Sequence, residues 1–281
     1  MPFGPGSHEP GGCPNNLTDF GIGNIAASRF FFLDRLGAMN LNREWLDTCK
    51  KAAGYARLAY ARNYQSAAVP FTNANAAGVI NVDHEETWIG IRGSDDIYDW
   101  AYNRNTKRVL VAGSLVHEGF YDYTKLVIDA IERLAKNAKI PNGWNLRTVY
   151  LCGHSLGGAA ARLIPTVCKG FRVNQIVTFG APPTHVDSAA AIYNFPLTEF
   201  RLPWDPFPHL PLGKDWGECG KIVRINGKLD TGNESVWQKW MRRLWLAYCL
   251  RRGPGYLKRQ VSKHHSMDLY SRAIHSMEAA A

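Results

Sequence analysis

Apolar positions along this chain recur in two periods, about 3.6 and 2, and the switches between them mark out its elements. From Arg43 to Tyr64, Trp45, Cys49, Ala52, Ala53 and Leu58 fall at helical spacing with charges between them. This predicts an amphipathic helix covering one face of a sheet. Gly78–His84 and Thr87–Arg92 are β-rich runs separated by a short acidic turn, the pattern of an antiparallel hairpin. His117 to Asn137 returns to the helical period through Phe120, Leu126, Val127, Ala130, Ile131 and Leu134, with Pro141 and Gly143 closing it. Thr148–Cys152 then reads as a strand, the stretch from Leu156 as a helix, Gln175–Phe179 as a strand, and Leu197–Leu202 and Lys221–Asn226 as two more. Strands alternating with helices imply βαβ units, so the expected fold is α/β, a mostly parallel central sheet with helices on both faces.

A last helix is expected over Trp237–Arg252, where Trp237, Trp240, Met241, Leu244, Trp245 and Tyr248 share one face and Lys239, Arg242 and Arg243 lie opposite. Two readings fit. Either the aromatic face packs on the core with its charges solvated, or it lies in a lipid interface with cations near anionic headgroups.

Composition narrows this little: 281 residues, 46% hydrophobic, 20% charged and 12% aromatic describe an ordinary globular chain and exclude collagen, disorder and a small disulfide scaffold. Residues 1–16 read as a flexible Pro/Gly-rich leader and 17–281 as a single domain, with no repeat or linker dividing it. The net charge of +9 is uneven, because Ser235–Lys263 holds eight Lys/Arg and no Asp or Glu. Such a local block suggests a surface, lipid or polyanion contact rather than a wholly nucleic-acid-binding domain. No run reaches the roughly 18 apolar residues of a membrane span, and the first residues lack a secretion signal, so a cytoplasmic or processed secreted form is expected. The six cysteines contain no C-x-x-C pair; up to three disulfides could form, and reduced thiols are expected.

Gly153-His154-Ser155-Leu156-Gly157 fits G-x-S-x-G at a strand-to-helix junction. Its glycines permit a strained turn that lifts the Ser155 hydroxyl above the sheet edge, and the next helix directs its positive end there. A serine needs a base and the base an orienting carboxylate, because an unassisted hydroxyl is protonated at neutral pH. Asp205 follows 50 residues later beyond a strand, and His265 after 60 more. Asp187 and Asp215 are rival acids, Asp205-Pro206 also suits a plain turn, and His264 is the rival base. His154 is expected to shape the turn, while His185, His209 and the other histidines are scattered without evident partners. No metal ligation is indicated, since His264-His265 lacks the i, i+4 spacing of a helical zinc pair.

Ordered blocks carry a resemblance. Ile91-Arg92-Gly93-Ser94 with Trp100, Val116–Phe120, Gly153–Gly158, Thr178-Phe-Gly-Ala-Pro182, Asp205-Pro-Phe-Pro-His-Leu-Pro211 and His265-Ser-Met-Asp-Leu-Tyr270 together resemble the class 3 (fungal-type) lipases of the α/β-hydrolase fold. That resemblance implies a cofactor-free lipase or carboxylic ester hydrolase with Ser155 as nucleophile, Asp205 as orienting acid and His265 as base. The oxyanion would lie between the Leu156 and Ser94 N–H groups and the Ser94 hydroxyl. It also implies a lid over Asp95–Lys107, here short and polar. A phospholipase A1 or short-chain esterase would use the same machinery, and a non-catalytic lipid-surface binding module is the alternative of another class. Pro165 inside the post-elbow helix and Trp204 before Asp205 depart from the family pattern, and Pro165 is expected to kink or shorten that helix.

Overall fold

The computed structural model describes residues 43–61, 68–83, 86–93, 107–137, 148–168, 172–186, 195–210, 216–217, 219–225, 229–230 and 235–277. All lie in the compact unit Arg43–Ala281; the leader at 1–16 falls outside them.

Among the described residues eight strands make one sheet: β1 (Val69–Asn73), β2 (Ala76–Val82), β3 (Glu86–Ile91), β6 (Thr148–His154), β7 (Val173–Phe179), β8 (Leu197–Arg201), β9 (Lys221–Ile225) and β10 (Leu229–Asp230), in that spatial order. From β3 to β9 they run parallel, and β1–β2–β3 and β9–β10 are antiparallel. The parallel sheet and the 78–92 hairpin were legible in the pattern. The separate hairpin of β4 (Arg108–Val111) and β5 (Ser114–His117) was not, although its signal is present: Ala112 and Gly113 both take positive φ (48° and 84°) between two short apolar runs, as a tight hairpin turn requires.

Helix α1 (Arg43–Leu58) covers one face of the sheet, where Tyr55 stacks on Trp88 and Trp88 on Tyr150. Alternation of side chains sends Ile80, Ile89, Leu151 and Ile176 to the other face. There they meet Val127 and Ile131 of α2 (Glu118–Lys136) and Ala160 and Ile164 of α3 (Leu156–Val167). Helix α1 stops six residues before the expected Tyr64, because Tyr60 and Ala61 close it with short-range bonds to Arg57 and Leu58. Pro165 lies in the last turn of α3, which ends two residues later. Arg162 is buried in that helix and binds Glu199 at 2.6 Å, as does Arg201 at 2.9 Å. Cys49, Cys152, Cys168, Cys219 and Cys249 are all buried.

Three helices follow: α4 (Val236–Arg251), α5 (Pro254–His264) and α6 (Met267–His275). Ser235 and Gln238 form a reciprocal capping box that fixes where α4 starts. The core-packed reading of its aromatic face is corrected here. Leu246 and Cys249 bury against Phe207, Leu257 and Val261, whereas Trp237, Trp240, Leu244 and Tyr248 are 71, 58, 55 and 50% exposed. One apolar stripe suffices to pack the helix, and the aromatic stripe is turned outward. Nor is Arg242 a solvated charge, since it is half-buried and donates to His209 Nε2 at 3.1 Å. Among the described residues no helix is long and apolar enough to cross a membrane.

Candidate active site

Because β6, β7 and β8 are parallel, their C-terminal ends open at one edge, where α/β sheets place their sites. Ser155 follows the last residue of β6, Gly180 the last of β7, and Asp205 lies four residues beyond β8. Ser155 takes φ 57° and ψ −127°, a strained conformation held by its N–H to Phe179 O (3.0 Å) and by the start of α3. Leu156 is the first residue of that helix, so its N–H has no intrahelical acceptor.

Asp205 is 1% exposed and fully engaged. Its Oδ2 accepts from His265 Nδ1 at 2.7 Å and from the Tyr270 hydroxyl at 2.6 Å, and Oδ1 accepts from the Phe207 N–H at 2.9 Å. Tyr270 also receives the Leu202 N–H at 3.1 Å, which pins the loop carrying the acid. Burial and the adjacent Asp205 push the Tyr270 phenol well up, so it remains a donor. The 3₁₀ turn Phe207–His209, entered from Pro206, brings the Phe207 amide to the carboxylate.

His265 occupies the joint where α5 ends and α6 begins; its N–H returns to Val261 O at 2.7 Å, and Ser266 caps α6. Its imidazole lies between Phe207 (ring centroids 4.0 Å) and His154 (4.4 Å). The geometry separates the neighbouring histidines, for His264 is turned away against Trp245. The rival acids Asp187 and Asp215 lie outside the described residues. Ser155 Oγ and His265 Nε2 are both buried and make no hydrogen bond among the described residues. In a free enzyme that bond is often long and tightens only with substrate.

Gly180 explains why this corner tolerates no side chain: at φ 58° its added Cβ would lie 2.5 Å from Asp205 Oδ2 and 3.0 Å from His265 Cε1. Gly93 is equally tight, its Cβ position being 2.9 Å from Ser155 Cβ. The Arg92–Gly93 segment therefore abuts the elbow; Ser94 and residues 95–106 of the expected lid lie outside the described residues.

Sequence reasoning assigned no role to Tyr60 and none to the Tyr270 hydroxyl. Tyr60 bonds His154 Nδ1 at 2.7 Å and accepts the Gly93 N–H at 2.9 Å, joining the elbow to the Arg92–Gly93 segment. His154 is held well below the usual imidazole range by burial, then by His265 beside it, and so stays neutral. Tyr270 could have been found from its fixed place in the His265–Tyr270 block; Tyr60, 94 residues from His154, carried no signal. A cavity of about 740 Å³ opens on His154, His265 and Tyr60, walled by Leu58, Val261 and Met267. No group of three or more potential metal-binding side chains occurs among the described residues.

Residues 88–214 match the family Lipase (class 3). The structure resembles the Lip2 lipase of Yarrowia lipolytica (TM-score 0.53, 18% identity, 66% of this chain and 81% of that one). It also resembles a lipase of Rhizopus microsporus var. chinensis (0.53, 19%, 69% and 77%) and the triacylglyceride lipase of Rhizomucor miehei (0.54, 19%, 66% and 81%). Among curated proteins, Toxin TseL of Vibrio cholerae serotype O1 is 38% identical over 73 residues, a quarter of this chain. The matched stretch spans about a tenth of that toxin's length. The motif blocks and these matches agree: residues 88–214 are similar to the class 3 lipases, and the chain has the α/β-hydrolase fold.

Proposed function

We propose that this chain is a serine ester hydrolase of the lipase type, acting on acylglycerols or related lipid esters through Ser155, His265 and Asp205. The observation that carries the reading is the buried Asp205 carboxylate, bound by three donors, that fixes His265 Nδ1 at 2.7 Å at the sheet edge where the strained elbow places Ser155.

With Nδ1–H held by Asp205, His265 presents Nε2 as the basic nitrogen. It takes the Ser155 proton as Oγ attacks the ester carbonyl, and the new oxyanion is received by the Leu156 N–H and by Ser94. The protonated Nε2 then gives its proton to the departing alcohol, leaving an acyl group on Ser155. Water repeats the sequence through the same nitrogen and releases the carboxylic acid. Each oxyanion donor contributes about 3 kcal/mol, because it acts on charge present only in the tetrahedral state. A neutral His154 beside His265 suits this role, since a second cation there would oppose the imidazolium that forms.

The outward aromatic stripe of α4 with its neighbouring cations supports a peripheral contact with an anionic lipid surface over Trp237–Arg252. A panel of p-nitrophenyl esters of increasing acyl length, beside triglyceride and phospholipid emulsions, tests the reading. Turnover is expected for wild type, with a fall of at least about 10³-fold in Ser155→Ala. Preference for phospholipid would reassign it as a phospholipase A1, preference for soluble short esters as an esterase. No turnover on any of them would favour a non-catalytic lipid-surface module.

A further inference from the structure

A second, smaller cavity of about 240 Å³ lies between the loop that carries Asp205 and the first turns of α4. Arg201, Arg224 and Arg242 line it with Trp204, Trp237 and Met241, and no acidic residue is among the described residues that line it. It shares no residue with the cavity at His265.

Two of these guanidinium groups are held in place before any ligand arrives. Arg201, 1% exposed, is fixed by Glu199 at 2.9 Å, and Arg242 by its bond to His209 Nε2 at 3.1 Å. For Nε2 to accept that bond His209 must be neutral, and burial, then Arg201, Arg242 and Arg224, push its imidazole well below the usual range. Burial is the larger cause, and the arginines around the cavity add positive charge that further opposes protonation. Planar guanidinium forks held in register suit the oxygens of a phosphate or similar oxyanion.

The cavity wall is continuous with the outward stripe of α4. Trp237 and Met241 line the cavity and are also exposed, beside Trp240 and Leu244, while Trp204 is 43% exposed and packs on Trp245. A free phosphate would account for the arginines and leave the exposed tryptophans without purpose. A lipid headgroup accounts for both.

We propose that the Arg201/Arg224/Arg242 cavity is a headgroup site for an anionic phospholipid, occupied while Trp237, Trp240 and Leu244 enter the surrounding leaflet. It extends the lipid-contact reading of α4 to one specific headgroup and is independent of ester turnover. Because Trp204 adjoins Asp205, a headgroup bound here holds the acid-loop edge of the catalytic site against the lipid surface.

The test is co-sedimentation with vesicles of diether lipids, which the enzyme cannot hydrolyse, made of phosphatidylcholine with or without 30% phosphatidylglycerol. Wild type is expected to bind the anionic vesicles about tenfold more tightly or better. Arg224→Gln with Arg242→Gln should bring that preference within about twofold of unity. Lys258→Gln with Arg259→Gln, an equal loss of charge within Ser235–Lys263 but away from the cavity, should retain most of it. Thermal melting checks that each variant is folded, and Arg242→Gln alone, expected to lose about half the preference on a logarithmic scale, serves if the pair is not. Inorganic phosphate should compete more than chloride at equal ionic strength. Equal binding to both vesicles, or equal losses from the two double variants, would overturn the proposal. So would competition or stabilisation by phosphate without vesicle binding, which would assign the cavity to a free anion. Turnover of a soluble p-nitrophenyl ester, measured alongside, reports separately on the triad.

Discussion

The corner around Asp205 and the helix Val236–Arg251 are both rich in aromatic rings and titratable groups, and the chain treats them in opposite ways. At Asp205 the polar atoms are buried and saturated: three donors reach one carboxylate, and two rings clamp the histidine it orients. On α4 the large apolar groups are left outside, with Trp237 and Trp240 more than half exposed. Burying a polar group is costly unless every partner is present, so the first arrangement fixes one geometry. Exposing apolar surface costs free energy until something covers it, so the second is suited to a partner. One region fixes a geometry, and the other leaves an apolar face uncovered.

The sharpest way to break this contrast is at the histidine pair. His265→Ala is expected to lower kcat/KM on a soluble ester by about 10³-fold or more, whereas His264→Ala, which removes a ring facing Trp245, should change it less than about threefold. Comparable losses in both variants would mean that Asp205 does not select between them.

Next in size is the buried side of α4. Leu246, 4% exposed, packs with Phe207, Cys249 and Leu257, so Leu246→Ala should cost about 2–4 kcal/mol in denaturant unfolding. A cost below about 1 kcal/mol would show that α4 is not anchored through this stripe.

What the sequence disclosed follows the same division. The elbow, Asp205 and His265 were legible because each sits in a short block whose chemistry demands those residue types, and β6–α3–β7 was legible because its periodicity is unbroken. The orientation of α4 was not. Periodicity shows that Trp237, Trp240, Leu244 and Tyr248 share a face, but a second, smaller face of Leu246 and Cys249 competes for the core, and only packing decides which wins. The partners of His185 and His209 were hidden for a related reason. Thr184 bonds His185 Nδ1 at 2.8 Å from the adjacent position, but Arg242 reaches His209 from 33 residues away. Long-range pairs leave no local trace, and Tyr60 is the clearest case.

Tyr270 tests how far the saturation of Asp205 matters. Tyr270→Phe removes one of three donors to the carboxylate and the acceptor of the Leu202 N–H, while keeping the ring that packs on Phe179. Because the hydroxyl is spent on Asp205 and the Leu202 N–H, its effect on turnover is expected to pass through Asp205: kcat should fall about tenfold with KM unchanged, together with a stability loss of about 1 kcal/mol. A loss of stability with kcat intact would make the hydroxyl a structural bond only.

The smallest effect belongs to the exposed stripe, and its smallness is the point. Trp240→Ser removes a large ring that is 58% exposed, and substitutions at such positions usually change folding stability by no more than about 0.5 kcal/mol. Had this face been core, the same change would have cost about 3–5 kcal/mol. Turnover of a soluble short-chain ester should likewise stay within about twofold of wild type, since the ring is not among the residues around either cavity. Binding to lipid vesicles should weaken whatever their charge, because the ring contributes apolar area and not headgroup recognition. A destabilisation above about 2 kcal/mol would return the aromatic stripe to the core and remove the contrast on which the attachment reading rests.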